Sequence, residues 1–299
     1  MRNFISEFLK KNGYEHQAAN ALLGAYDALK DNRTFHSLLN AFYKDETLQV
    51  DSDGSPLDIL CREASVNFYT AKLLFYICLT EELHNNYKEN GISEDMYFAA
   101  VEDLHCKMME CFDMYGVWGI SSKGWFPSVF RMKTFGMGRF FYNMGIYTGE
   151  TFFVGGQSVK KGDKYISIHI PSSKKPFDLE SRLASYELAY NFYKKSFEGK
   201  EPLFRCESWL LNPANKSLLE KKSNIVSFMN DFNIVDSYLY PDNRSMWRVF
   251  GSFHNLPADK LPRDTSLQRA YADYIADGNL LGAGIGYFVY DPINKVTLK

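Results

Sequence analysis

The sequence has little of what would place it outside a reducing compartment, across a bilayer or on nucleic acid. Its five cysteines, Cys61, Cys78, Cys106, Cys111 and Cys206, are odd in number and contain no Cys-x-x-Cys pair, so neither a disulfide framework nor a zinc site is expected. His105, Cys106 and Cys111 fall on a predicted helix at positions that do not converge on one ion. Asp51-Ser52-Asp53-Gly54 starts like a calcium loop but lacks the remaining ligands and the closing Glu. The opening residues, Met1 to Phe8, lack the unbroken apolar segment of a signal peptide, and the most apolar stretch, Leu73 to Leu79, is far short of a membrane span. No long block of like charge occurs among 34 basic and 36 acidic residues, net charge -2, which argues against a nucleic-acid arm or a polybasic membrane patch. A cytoplasmic protein without a metal, a membrane span or a nucleic-acid partner is expected.

What is present is bulk for burial. The chain has 299 residues, 45% of them hydrophobic, with 24 Phe and 20 Tyr, enough for two ordinary domain cores. Up to about residue 115 the chain contains one proline, Pro56, and apolar residues recur every three or four positions, the period of helices packed on one face. Phe4, Ile5, Phe8 and Leu9 form one stripe, and Ala18, Ala19, Leu22, Leu23, Tyr26 and Leu29 a second. After the turn at Asp51 to Pro56, a long helix is expected from Leu57 through Ala64, Phe68 and Phe75 to Leu79, then another capped by Ser93.

From Gly116 the texture changes to β-branched alternation with recurrent turn signals. A boundary within 116–130 divides the chain into a helical domain, 1–125, and a second domain, 126–299. Strands are expected at 139–148, 150–154 and 164–170, the last alternating Ile166, Ile168 and Ile170 against Tyr165, Ser167 and His169. The loop Pro171 to Pro176 follows, then a helix with Leu179, Leu183, Tyr186, Tyr190, Tyr193 and Phe197 on one face. Further on lie a strand at 203–211, a short helix at 223–232, a hairpin of 234–240 with 246–250, a helix opened by a Thr265/Gln268 capping box, and a last strand at 285–290. Gly282-Ala283-Gly284-Ile285-Gly286 imitates a dinucleotide fingerprint, but the remaining chain is too short for a βαβ unit, so it reads as a tight connection.

This order of elements, with the strings Phe135-Gly136-Met137-Gly138-Arg139-Phe140, His169-Ile170-Pro171-Ser172, Cys206-Glu207-Ser208-Trp209-Leu210-Leu211, Ser223-Asn224-Ile225 and Leu261-Pro262 through Ala270, resembles a family of bacterial acyltransferase-domain proteins. In that family a helical N-terminal domain precedes a GNAT-like C-terminal domain. The resemblance implies an α+β protein in which an all-helical domain is followed by a mixed sheet flanked by helices. It also implies acyl-CoA as co-substrate and transfer of the acyl group to an amine of a small-molecule or peptide acceptor.

The same resemblance places CoA at the loop after the central strand, with Ile170, Ser172, Ser173, Lys174 and Lys175 as its contacts. The loop departs from the usual GNAT pattern because it contains no glycine. A helix N-terminus and two lysines still offer donors and positive charge to a diphosphate. Acyl transfer needs a group to take the amine's proton, donors for the oxyanion, and an acid for the leaving thiolate. Candidates are His169, whose ordinary pKa lies near neutrality, Glu207 on the neighbouring strand, and Asn224 at the start of the short helix. Two of them also have a structural reading, His169 as a histidine bonded to a carbonyl and Asn224 as a helix cap, and on alternation either Glu207 or the pair Cys206 and Ser208 faces the cleft. Tyr238 and Tyr240 are alternative acids, and Cys206 is more simply a core thiol. Arg139, between Gly138 and Phe140, and Trp209 are candidate substrate contacts. A ligand-binding protein that keeps the fold without catalysis, or an interaction scaffold, are the alternatives.

Overall fold

The structure is a computed structural model that describes residues 1–242 and 246–299. Its contacts divide the chain into two units, Met1–Gly136 with Pro171–Ser173, and Met137–Ile170 with Lys174–Lys299.

The first unit is helical: α1 (Arg2–Lys11), α2 (His16–Leu29), α3 (Arg33–Ala41), α4 (Pro56–Glu63), α5 (Phe68–Glu89), α6 (Glu94–Tyr115) and α7 (Trp125–Phe130), leading to the short strand β1 (Thr134–Met137). The single long helix expected from Leu57 is two. Ser65 adopts φ 53, and the Asn67 side chain caps α5 by accepting from the Tyr69 and Thr70 amides, so the apolar period continues across a break in the backbone. Helix α5 is buried all round from Thr70 to Thr80, Lys72 included, and exposes one side after that. Arg131 fixes the irregular stretch after α3 by donating to the carbonyls of Phe42, Asp45, Glu46 and Leu48. Asp103, 1% exposed, accepts the indole N–H of Trp125 at 2.6 Å.

The second unit holds β2 (Phe140–Ile146), β3 (Phe152–Val154), β4 (Gln157–Val159), β5 (Lys164–His169), α8 (Leu179–Tyr193), β6 (Leu203–Ser208), α9 (Asn215–Leu218), α10 (Asn224–Met229), β7 (Asn233–Leu239), α11 (Trp247–Phe250), α12 (Ser266–Ala276), β8 (Gly282–Asp291) and β9 (Val296–Leu298). The sheet runs β2-β5-β6-β8-β7, with β9 also on β8, and β3 and β4 form a separate ribbon. Strands β5 and β6 run parallel, whereas β2 with β5, β6 with β8 and β7 with β8 are antiparallel. This is the expected α+β architecture with a mixed sheet. One face packs under α8 and α10 through an aromatic core: Phe140 stacks on Tyr186, Phe204 on Phe288, and Phe232 meets Phe288 edge-on.

Four local expectations are corrected. Residues 246–250 are not a hairpin strand. Met246, Val249 and Phe250 bury together with Leu261, Tyr271, Ala272 and Leu281, and that i, i+3, i+4 spacing is helical. Strand β7 pairs with β8 instead. The strand expected to reach Leu211 ends at Ser208, whose hydroxyl accepts from the Leu210 amide and starts a 3-10 turn. The Gly282–Gly286 run lies inside β8 rather than in a connection. On α8, Leu179 is exposed while Arg182, Ser185, Tyr186, Ala189 and Tyr193 are buried, because polar bonds and small side chains set that interface. The Thr265/Gln268 capping box is present as read.

Candidate functional site

Parallel strands leave their ligand site beyond their carboxyl ends, and β5 and β6 are the parallel pair. Their register contains Ile166 opposite Phe204 and Ser167 opposite Arg205 and goes no further, although β6 stays paired with β8 through Ser208. The ends Ile168–His169 and Cys206–Ser208 therefore lie beyond the shared ladder. Main-chain groups at such an opening can pair with an extended, amide-bearing ligand.

Alternation sorts the side chains at this opening onto two faces. Ile166, Ile168 and Cys206 turn toward the α8 side and are fully buried or nearly so. Burial pushes the Cys206 thiol up to about 12, so it is an inert core residue rather than a nucleophile. Tyr165, Ser167, His169, Arg205, Glu207 and Tyr287 share the opposite face, since Ser167 pairs with Arg205 and Arg205 with Tyr287. His169 Nε2 lies 2.7 Å from Asn143 Oδ1, a diagonal contact across the β2–β5 pair. With the amide oxygen as acceptor, Nε2 is the nitrogen that donates.

Beside it is a connected polar cluster. Arg205 Nη2 donates to Glu207 Oε2 at 2.7 Å and Arg205 Nε to the Tyr287 hydroxyl at 3.2 Å. The Tyr238 hydroxyl donates to Glu207 Oε1 at 2.8 Å, and the Arg205 guanidinium lies over the Tyr165 ring. The bond from Arg205, seconded by the one from Tyr238, holds the Glu207 carboxyl below its usual range against some desolvation. Desolvation, and then the Glu207 carboxylate, push Tyr238 up to about 12. Glu207 is thus a settled carboxylate with both oxygens engaged, suited to holding Arg205 and Tyr238 in place and poorly suited to taking a proton. Asn143, Arg205 and Tyr287 were not singled out from sequence. Arg205 was within reach, because a residue two positions before Glu207 on a strand must share its face.

The remaining candidates are distributed around the second unit's helices and the loop. The chain leaves β5 through Ile170 and Pro171, passes the exposed Ser172, Lys174 and Lys175 and the half-buried Ser173, and enters α8, where Asp178 caps the helix by accepting from the Ser181 amide. Gly138 sits at φ +64, and a Cβ there would come 3.1 Å from Ser185, so the turn before Arg139 needs glycine. Arg139 is nearly buried, its guanidinium 5.1 Å from the Phe177 ring centroid and 5.8 Å from that of Phe140. Trp209 packs edge-on against Tyr271 among the residues around α12. Asn224 is exposed in the first turn of α10, and the cap is the preceding Ser223, which accepts from the Ile225 amide. The structure therefore brings His169, Glu207 and Tyr238 to the sheet face at the opening, and gives Trp209 and Asn224 other surroundings.

A mixed sheet whose parallel pair parts at its carboxyl end, followed by a loop and a helix on one face, defines the GNAT class of fold. Residues 106–288 match the family model of the GNAT-like C-terminal domain, and residues 3–132 match that of the N-acyltransferase N-terminal domain. The chain belongs to this family of GNAT-like proteins, and its pair of domains is that of an N-acyltransferase. No curated protein matches it in sequence. Among solved structures, one similar fold is an acyltransferase in complex with decanoyl-CoA and teicoplanin, 19% identical over 98% of this chain and 87% of that one, with a TM-score of 0.73. A mutant acyltransferase in complex with octanoyl-CoA matches at 19% identity over 94% and 86%, with a TM-score of 0.72. An acyltransferase in complex with CoA and 10C-teicoplanin matches at 20% identity over 94% and 86%, also with a TM-score of 0.72. Among the described residues no helix is long and apolar enough to cross a membrane, and no group of three or more His, Cys, Asp or Glu could hold a metal.

Proposed function

We propose that this protein transfers an acyl group from acyl-CoA to an amine of a small-molecule or peptide acceptor, at the opening between β5 and β6. The observation that carries the reading is the end of the β5–β6 ladder at Ser167 and Arg205, with His169 and the Arg205–Glu207–Tyr238 cluster on one face beside it. An extended pantetheine arm would use main-chain groups at the opened edges. His169 takes the proton of the attacking amine as the C–N bond forms, backbone amides at the opening stabilise the oxyanion, and Tyr238, its O–H turned from Glu207 to the sulfur as the C–S bond breaks, gives a proton to the leaving thiolate. Teicoplanin, a partner of two of the similar acyltransferases, supports a peptide-like amine as acceptor class. Ser172, Ser173, Lys174 and Lys175 are the contacts proposed for the CoA diphosphate, Ile170 for the pantetheine arm, and Arg139 for a carboxylate or phosphate.

One observation favours a second reading, a protein that binds acyl-CoA without turnover. The anionic Asp178 caps the helix at the place where a diphosphate would approach, and no glycine opens the loop. Thermal unfolding with CoA, acetyl-CoA and longer acyl-CoAs, paired with thiol release across a panel of amines, separates the two. Ligand at about 100 times its Kd adds about 2.7 kcal/mol to stability, a shift of several degrees in Tm for a chain of this size. A shift with thiol release supports acyl transfer. A shift without release across the panel supports the binding protein, and no shift at millimolar ligand sinks both.

A further inference from the structure

We propose that Arg182 and Asp231 are positioning residues that fix the loop meeting the CoA diphosphate, an inference that rests on the acyl-CoA reading above. Arg182 is fully buried in the first turns of α8, and Asp231, 4% exposed, follows the end of α10. The guanidinium donates through Nε to Asp231 Oδ2 at 2.7 Å and through Nη2 to Asp231 Oδ1 at 3.2 Å and Ser227 Oγ at 3.0 Å. Its Nη1 donates to the carbonyl of Phe177 at 3.0 Å. The Tyr186 hydroxyl adds a bond to Asp231 Oδ2 at 2.9 Å. Phe177, the last residue before the Asp178 cap, lies with its ring under both Arg182 and Arg139 and against Phe140 and Phe228.

A buried ion pair is a weak source of net stability, and apolar packing of the same volume does as well. What apolar packing cannot do is hold one particular carbonyl at one place. Here the fork of Arg182 ties the Phe177 main chain to α10 at the end of a loop that has no glycine to let its backbone adapt to a diphosphate. The positions of Lys174 and Lys175, three and two residues before Phe177, follow from that anchor. The clamp thus gives a loop without glycine one fixed end.

The test is titration calorimetry of the purified full chain with CoA and with pantetheine, which lacks the diphosphate and nucleotide. Arg182→Lys keeps the charge but loses the fork, and weakens CoA by about tenfold, the loss of one well-placed charge-assisted bond, while leaving pantetheine unchanged. Ser227→Ala removes one bond from the same guanidinium without leaving a buried charge unpaired. It supplies a variant that folds and weakens CoA about twofold to threefold with pantetheine again unchanged. Equal losses for both ligands, or none for either, assign the pair to fold stability alone and overturn the proposal. A wild-type protein that binds CoA no better than pantetheine overturns the diphosphate loop and the clamp together but leaves the opening between β5 and β6 standing. A wild-type protein that binds neither sinks the acyl-CoA reading itself.

Discussion

Replacing His169 gives the sharpest test of the chemistry proposed at the opened strands. A positioned general base contributes about 10²–10⁴-fold to rate, so His169→Ala lowers kcat by that factor while the fold, set on the other face by Ile166, Ile168 and Tyr142, is retained. The 2.7 Å bond to Asn143 does a smaller job: it fixes the ring and its tautomer, and a hydrogen bond of that kind is worth about 0.5–1.5 kcal/mol, or roughly 2- to 12-fold in rate. Asn143→Ala therefore lowers kcat by about that much, and has no further effect once His169 is Ala, because the bond then has no second partner. The assay is release of the CoA thiol with an amine identified in the panel, at saturating acyl-CoA, with binding of CoA measured in parallel. If His169→Ala keeps kcat within about threefold of wild type, or if the two losses simply add, the histidine is a structural member of the sheet and another group takes the proton.

Two further outcomes follow from the charges. Glu207→Gln removes the charge that Arg205 and Tyr238 share but keeps an oxygen, and lowers kcat about 5- to 20-fold, the scale of one or two weakened bonds. A loss as large as that of His169→Ala would make Glu207 the base, and because its carboxyl is held low, the wild-type rate profile has no limb from it above the ordinary carboxylate range. In the helical unit, desolvation raises Asp103 from 3.8 to about 6 against the opposing pull of Lys107 and the Trp125 bond, so the folded protein holds that proton more tightly than the unfolded chain. Its contribution is complete below the unfolded value and is lost as pH rises through about 6, an upper bound of about 3 kcal/mol at 1.36 kcal/mol per pH unit. Asp103→Asn keeps an acceptor for Trp125 and loses the slope. Urea unfolding at pH 4.5 and 7.5 then shows a larger gain over wild type at the higher pH, and an equal difference at both would refute the buried acid.

The helical half and the β5-loop-α8 unit were legible because each rests on a periodicity that burial enforces. His169 fell on the face predicted for it for that reason: one register slip would have put Ile166 and Ile168 in water. The same logic explains the misses. Pattern alone does not show where a backbone breaks, so Ser65 and the Asn67 cap went unseen inside a continuous apolar stripe. Nor does it show a polar side chain that has found a buried partner, so Arg182 and Ser185 hid on the buried face of α8. The Arg205–Glu207–Tyr238 cluster joins residues more than thirty positions apart, and only the strand order β6-β8-β7 brings them together.

That strand order works because of the glycine run that resembles a nucleotide motif. Gly284 lies in β8 where any Cβ would sit 2.2 Å from the Leu211 carbonyl oxygen, and Gly286 where one would sit 2.8 Å from Phe232. Their bareness lets the 3-10 turn after β6 and the residues after α10 press directly on that face of the sheet. On the other face Ala283 pairs with Tyr238 and Ile285 with Glu207, and the small alanine lets the tyrosine ring lie across β8 to reach the carboxylate. Glycine in this chain thus serves close packing behind the candidate site, while the loop proposed to meet phosphate takes its shape from side chains. A bulkier residue at 283 would disturb the acid and its carboxylate without touching the loop, whereas loss of the Arg182 fork would loosen the loop without touching the acid, so the two halves of the proposed site can be taken apart separately.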